Sequence, residues 1–199
     1  FTTDHYVEVF RETPEFMINT LVYASLAATI DIILGTAIAW LVLRSKIRFR
    51  HWLDYIAMAA LAVPGLVLGI GYLRTFLGVN IPFGDRPLAT WWVMLVIALS
   101  IRRLPYALRA CNSALHQVSR ALEEAGENLG ASRMKTIWRV TVPLMSGGIL
   151  AGFVTSFATA AVELSATLML VSTESDAPLS YGIYVFMQSA AGRGPGAAL

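Results

Sequence analysis

Two carboxylates stand where acid–base or ion chemistry would be conspicuous. Asp31 lies inside the apolar run Leu21–Leu43, and Glu163 follows the apolar run that begins at Leu144. A carboxylate in hydrocarbon must be protonated, paired or wetted. Each could therefore line a solute route, or serve as an interhelical hydrogen-bond or ion-pair partner. Other chemistry is thinly supplied. The single cysteine, Cys111, excludes an internal disulfide and a cysteine-rich metal site. His5, His51 and His116 are scattered, and no nucleophile–base set is visible. No Gly-x-x-x-x-Gly-Lys-Ser/Thr phosphate loop occurs. Basic residues flank apolar segments without an interleaved aromatic patch, so no nucleic-acid partner is implied. The remaining candidate is a spaced run in the most charged part of the chain: Glu124-Ala125-Gly126, then Gly130, then Val140-Thr141-Val142-Pro143.

These residues sit among segments built for lipid. Hydrophobic residues make up 56% of the 199-residue chain and charged residues only 14%, well under the quarter usual in soluble domains. Leu21–Leu43 is 23 residues long with one charge, Asp31, and Tyr55–Leu73 is 19 residues without any. A third run starts at Leu88 and continues through Leu108, with Arg102 and Arg103 expected near the headgroups. A fourth covers Leu144–Val162 and is expected to extend past Glu163 to Val171. A crossing helix needs about 20 largely apolar residues. Lipid offers the backbone no partner, so these four spans are expected to be helical. Pro64-Gly65 predicts a kink or local opening in the second.

Charge sets the direction. The segments Arg44–Asp54 and Arg102–Pro143 hold 11 of the 15 basic residues, against Arg11, Arg74, Arg86 and Arg193 opposite. The basic side is the cytoplasmic one, which puts the N-terminus outside. An amphipathic surface helix is expected over Asp4–Glu15 and a loop over Leu77–Pro87. A short helix is expected over Ser175–Ala190, begun by Asp176-Ala177-Pro178 and stopped at Gly192.

Small residues recur at helical spacing. Ala27, Gly35 and Ala39 share a face with Asp31; Gly65 and Gly69 share one in the second span; Gly148, Gly152, Ser156 and Ala160 lead toward Glu163. Such faces let membrane helices approach closely. Pro64, Gly65, Asp31, Ser156 and Glu163 are thus candidates for either packing or the pore. The stretch Ser119–Arg139 is polar enough to lie outside the membrane. Ala121, Leu122, Ala125 and Leu129 can form one apolar face of a short helix, Gly130 suits the turn that ends it, and Ser132 can cap the next helix.

The spaced run resembles the cytoplasmic signature of permease domains from binding-protein-dependent ATP-binding-cassette importers. That signature is Glu-Ala-Ala, three residues, Gly, nine residues, Ile, one residue, Leu-Pro. Here it reads Glu124-Ala125-Gly126, Gly130, Val140 and Val142-Pro143 at the same spacing, with Gly126 in place of the second alanine. Three further stretches resemble ferric-iron permeases and relatives assigned to 2-aminoethylphosphonate and thiamine. They are Arg102-Arg103-Leu104-Pro105-Tyr106, Ala121–Ala125 with Leu129–Ser132, and Glu163-Leu164-Ser165-Ala166-Thr167. The resemblance covers most of residues 15–196.

The resemblance implies an all-α polytopic bundle forming a single permease domain over 1–199. It has outer segments at 1–15 and 172–196 and a cytoplasmic coupling region at 116–142. The family core has five membrane helices, so a last helix is expected to follow Leu199 and the chain to be a fragment. Implied partners are two cytoplasmic ATPase subunits, which hold the ATP and Mg, a second permease domain, fused or separate, and a periplasmic solute-binding protein. The chain itself implies no cofactor, no metal site and no enzyme activity. The expected location is the bacterial inner membrane, and the expected cargo ferric iron or a small solute such as a phosphonate. Glu124, Ala125, Gly126 and Gly130 would carry the coupling element, with Arg133 and Arg139 as charged contacts to the ATPase. An ion-coupled secondary transporter and a non-transporting scaffold are the alternatives.

Overall fold

Long apolar segments flanked by charge fold as helices in this computed structural model, which describes residues 14–81, 84–188 and 197. Helix α1, Pro14–Arg44, has 31 residues, about 46 Å of rise. It opens with Pro14 at its first position and Glu15 in its first turn, and it closes on Arg44, the order that suits a proline without a donor and the helix dipole. It is followed by α2, Arg50–Ala59; α3, Gly65–Phe76; α4, Trp92–Gln117; α5, Arg120–Asn128; α6, Arg133–Thr136; α7, Ser146–Ala161; α8, Thr167–Leu170; and α9, Leu179–Met187. The fold is all-α, as expected. An isolated antiparallel bridge, Asn80 to Pro87, closes the expected loop after α3.

One expectation about the spans holds and another changes. The second carries the interruption expected at Pro64-Gly65 as a full break at Val63-Pro64, and the two parts meet at 103°. Pro64 has no N–H to continue the ladder and becomes the residue before α3. The third is a single 26-residue helix with Pro105 inside it. Arg102 and Arg103 fall near its middle. The fourth ends at Ala161 and does not run on through Glu163; the chain turns there and resumes as α8. It is also bent by 70° from the segment before it. Among the described residues, α1 alone is long and apolar enough to cross a membrane, or three spans if each bent pair counts as one. Helix α9 starts directly after Pro178, close to expectation. Of the amphipathic segment expected over Asp4–Glu15, Pro14 and Glu15 open α1; the rest of it and the stop at Gly192 lie outside the described residues.

Packing divides the described residues into two units. One draws on the described residues within 1–27, 63–102 and 157–199, with a core of Tyr23, Ala24, Met94, Leu95, Leu99 and Leu170. Its Tyr23 and Trp92 rings stack at 5.7 Å. The other draws on 28–62 and 103–156, with a core of Ala39, Leu108, Cys111, Leu115 and Met145.

Close approach through small residues organises the second unit. A Cβ added at Gly35 would lie 3.1 Å from the Leu108 backbone nitrogen. One added at Gly148 would strike the Ala114 Cβ and lie 3.1 Å from the Ala110 carbonyl oxygen, whereas one at Gly147 would meet nothing within 4 Å. Forcing a side chain into a packed contact costs about 1–3 kcal/mol. Gly148→Leu is therefore expected to lower the thermal unfolding midpoint of the detergent-solubilised full-length protein, and Gly147→Leu to leave it within error. Equal midpoints for the two variants would remove close helix packing as the role of Gly148.

Candidate functional site

The spaced signature folds into two helices joined by a turn closed by defined hydrogen bonds. Ser119 precedes α5 and its hydroxyl accepts from the Ala121 N–H at 3.3 Å. The helix ends in a paired closure: Gly130 N–H donates to the Glu127 carbonyl at 2.9 Å and Ala131 N–H to the Gly126 carbonyl at 3.1 Å. Gly130 has φ of +86°, a conformation that costs any residue with a Cβ and suits glycine. Ser132 then caps α6 by accepting from Lys135 N–H at 3.4 Å. Both the turn at Gly130 and the cap at Ser132 are as the sequence predicts. The chain continues as a π-helical stretch, Ile137–Thr141. Pro143 lacks a donor and would crowd the carbonyl of Arg139, and a wider turn relieves both conflicts.

The orientation of α5 is the unexpected part. Its apolar stripe, Ala121, Leu122, Ala125 and Leu129, faces outward, and Leu129 is 90% exposed. The side turned inward carries Glu123 and Gly126. A Cβ at Gly126 would lie 3.2 Å from Thr136 Oγ1, so the glycine lets α5 lie close against α6. Glu123 Oε1 accepts from Arg44 Nε at 3.0 Å and from Thr141 Oγ1 at 3.3 Å. This pair is largely covered, with Arg44 8% and Glu123 17% exposed. Arg44 Nη2 also donates to the carbonyls of Leu115, 3.2 Å, and Val118, 2.6 Å.

The C-terminal end of α1 is consequently ringed by cations from the signature region. Arg120 Nη2 donates to the Leu43 carbonyl at 2.6 Å and Arg133 Nη2 to the Arg44 carbonyl at 3.5 Å. Cations stabilise the carbonyl end of a helix. Arg133 also lies over the Trp40 ring, 4.6 Å from its centroid, a cation–π contact. So Arg133 is turned onto α1, while Glu124, Ala125 and Arg139 are exposed. Sequence reasoning passed over Arg44, Arg120, Glu123 and Thr141. The available signal was a basic residue ending α1 and an acid one place before Glu124, too common a pattern to single out.

The membrane carboxylates are both engaged. Asp31 and Ser156 are fully buried, and Ser156 Oγ donates to Asp31 Oδ2. Glu163 sits at the break after α7. Its Oε1 accepts from the Ser165 and Ala166 N–H groups at 3.0 and 3.3 Å, and its Oε2 lies 3.6 Å from Arg102 Nε. Arg102 Nη1 in turn reaches the Val63 carbonyl at 3.4 Å, at the break before α3. Gly65 makes room there, since an added Cβ would lie 2.7 Å from Ser165 Cβ. One cation in α4 thus meets both broken segments. Among the described residues no group of three or more His, Cys, Asp or Glu is placed to hold a metal ion.

Residues 31–196 match the family described as Binding-protein-dependent transport system inner membrane component. The ferric transport system permease protein FbpB of Actinobacillus pleuropneumoniae is 32% identical over 167 residues, covering 83% of this chain and 23% of that protein. The molybdenum transport system permease protein ModB of Escherichia coli K12 is 32% identical over 160 residues, covering 77% of this chain and 69% of that protein. This chain spans about a quarter of the length of the first ferric relatives it matches, 23% and 24%. In structure it resembles a bacterial ABC transporter involved in import of the acidic polysaccharide alginate. The TM-score is 0.78 and the identity 18%, with all of this chain and 77% of that chain covered.

Proposed function

The chain belongs to the family of binding-protein-dependent transport system inner membrane components, and from that premise we propose that it is a permease part of an ATP-driven importer. It contributes to the solute path and receives force from a cytoplasmic ATPase through α5 and α6. ATP and Mg belong to that ATPase, and the permease performs no catalysis. Its further partners are a second permease domain and a periplasmic binding protein; a solved relative of this fold is a transporter in complex with its substrate-bound periplasmic protein. The cargo is ferric iron or another small solute delivered by that protein, the class to which the ferric and molybdenum relatives belong.

The observation that carries this reading is the outward apolar stripe of α5. A short helix in an isolated unit should bury its apolar face. Here that face is exposed, and the helix is held from its charged side by Glu123, Arg44 and Thr141. Such a helix is a lever with a vacant contact surface. A partner that moves Leu129 moves the end of α1 with it, because Arg44, Arg120 and Arg133 tie the two together.

Leu129 makes the test specific, since it has almost no packing to lose within the chain. Leu129→Asp in the full-length permease is expected to leave the protein folded and to weaken its association with the ATPase about tenfold or more, the loss of one buried leucine. Unchanged co-purification would remove the coupling reading. Gly130→Val provides a second variant: it places a β-branched residue at a φ of +86° and is expected to distort the turn at a cost of about 1–2 kcal/mol.

A further inference from the structure

We propose that the C-terminal end of α1 carries a site for one anionic phospholipid of the cytoplasmic leaflet. Two adjoining cavities in the second unit make the site. The first, about 520 Å³, is walled by apolar side chains that include Ile33, Ala37, Met134 and Trp138. The second, about 550 Å³, is lined by Arg44, Lys46 and Arg133. Trp40 and Leu41 line both, so an apolar groove runs into a basic mouth at Trp40.

A residue shared by the two cavities carries a donor without an acceptor. Trp40 Nε1 is buried and has no hydrogen-bond partner, an arrangement that is costly unless something supplies an oxygen. Arg133 lies over the same ring, and Lys46 is exposed beside it. Arg44 is not counted, because Glu123 and two carbonyls already occupy it. Trp40, Lys46 and Arg133 therefore line one cavity where the apolar wall stops. A phospholipid answers all of them in one molecule: an acyl chain for the groove, and ester and phosphate oxygens for the donors. Basic residues at the cytoplasmic boundary attract anionic headgroups, and tryptophan prefers this depth. Because Met134 and Trp138 follow the coupling turn, the lipid would also touch the element that the ATPase is proposed to move. The site itself does not depend on that proposal.

The test is native mass spectrometry of the full-length permease in complex with its ATPase. The complex is stripped in detergent and offered phosphatidylglycerol or phosphatidylcholine. The wild type is expected to retain one phosphatidylglycerol in preference to phosphatidylcholine. Trp40→Phe, which keeps the ring and removes the N–H, and Lys46→Gln are each expected to reduce that retention about fivefold, the ratio for one lost headgroup contact. Excess inorganic phosphate should not displace the lipid. Equal retention of the two lipids, or variants indistinguishable from wild type, would overturn the site. Displacement by phosphate would make it a free-anion site instead. A photoreactive residue at Met134 that labels another segment or a second copy, and no lipid, would show that protein covers the groove.

Discussion

Glu123→Ala is expected to reduce solute uptake by the full-length permease at least about tenfold while the ATPase still binds. The carboxylate holds Arg44 at 3.0 Å in a setting where the two side chains are only 17% and 8% exposed. Removing one member of such a pair strands the other charge, at about 3 kcal/mol for the lower end of the range. The lower end applies because Arg44 keeps two backbone carbonyls. A loss of that size in the arrangement that links α5 to α1 exceeds the 1.4 kcal/mol that corresponds to tenfold. Leu129 and the exposed face of α5 are untouched, so binding and transport should separate. Glu124→Ala offers the contrast. Glu124 is exposed, and its loss should be felt in partner binding and not in the internal link. The double variant Arg44→Met with Glu123→Met should cost less than the sum of the single changes, because no charge is then left alone. Additive losses, or uptake that survives Glu123→Ala, would mean that force reaches α1 by another route.

The second large effect belongs to Glu163. Its two oxygens have different work: Oε1 caps the turn into α8, and Oε2 faces Arg102. Glu163→Gln keeps an acceptor for the Ser165 and Ala166 N–H groups but removes the charge. It is expected to cost about 3 kcal/mol by leaving Arg102 with a single distant carbonyl. Glu163→Ala removes the cap as well and should cost about 1 kcal/mol more. Thermal unfolding and uptake of the full-length protein should rank wild type, Gln, Ala. Arg102→Gln combined with Glu163→Gln should recover part of the loss. If Glu163→Gln and Arg102→Gln each behave as wild type, the ion pair does not hold the two broken segments together.

Much of this site was legible without coordinates. The Gly130 turn and the Ser132 cap depend on residues within a turn of each other, where backbone preference decides geometry. The buried face of Asp31, Gly35 and Ala39, and that of Gly152, Ser156 and Ala160, follow from four-residue spacing in an apolar helix. The direction in which α5 faces was not legible. Its stripe of Ala121, Leu122, Ala125 and Leu129 has the spacing of a packed helix, and packing inside the chain is the ordinary fate of such a stripe. Successive residues on a helix point about 100° apart, so Glu123 and Glu124 were bound to face differently. Which one would turn inward depended on Arg44, 79 positions away.

The amino-acid sequence by itself determined the family, the helical character, the turn at the signature and the approximate positions of the apolar segments. Each rests on local preference, on periodicity, or on a spaced motif whose residues are close in the chain. Tertiary structure alone decided that the interruption expected at Pro64 is a bend of 103° and that the fourth stops at Ala161. It also decided that Arg102 meets both breaks, through the Val63 carbonyl and the Glu163 carboxylate. Ser156 finds Asp31 across 125 positions, and no short-range rule selects one such partner from the many polar residues available. A cation or carboxylate within an apolar segment needs a partner on physical grounds; only the packed helices determine which one it receives.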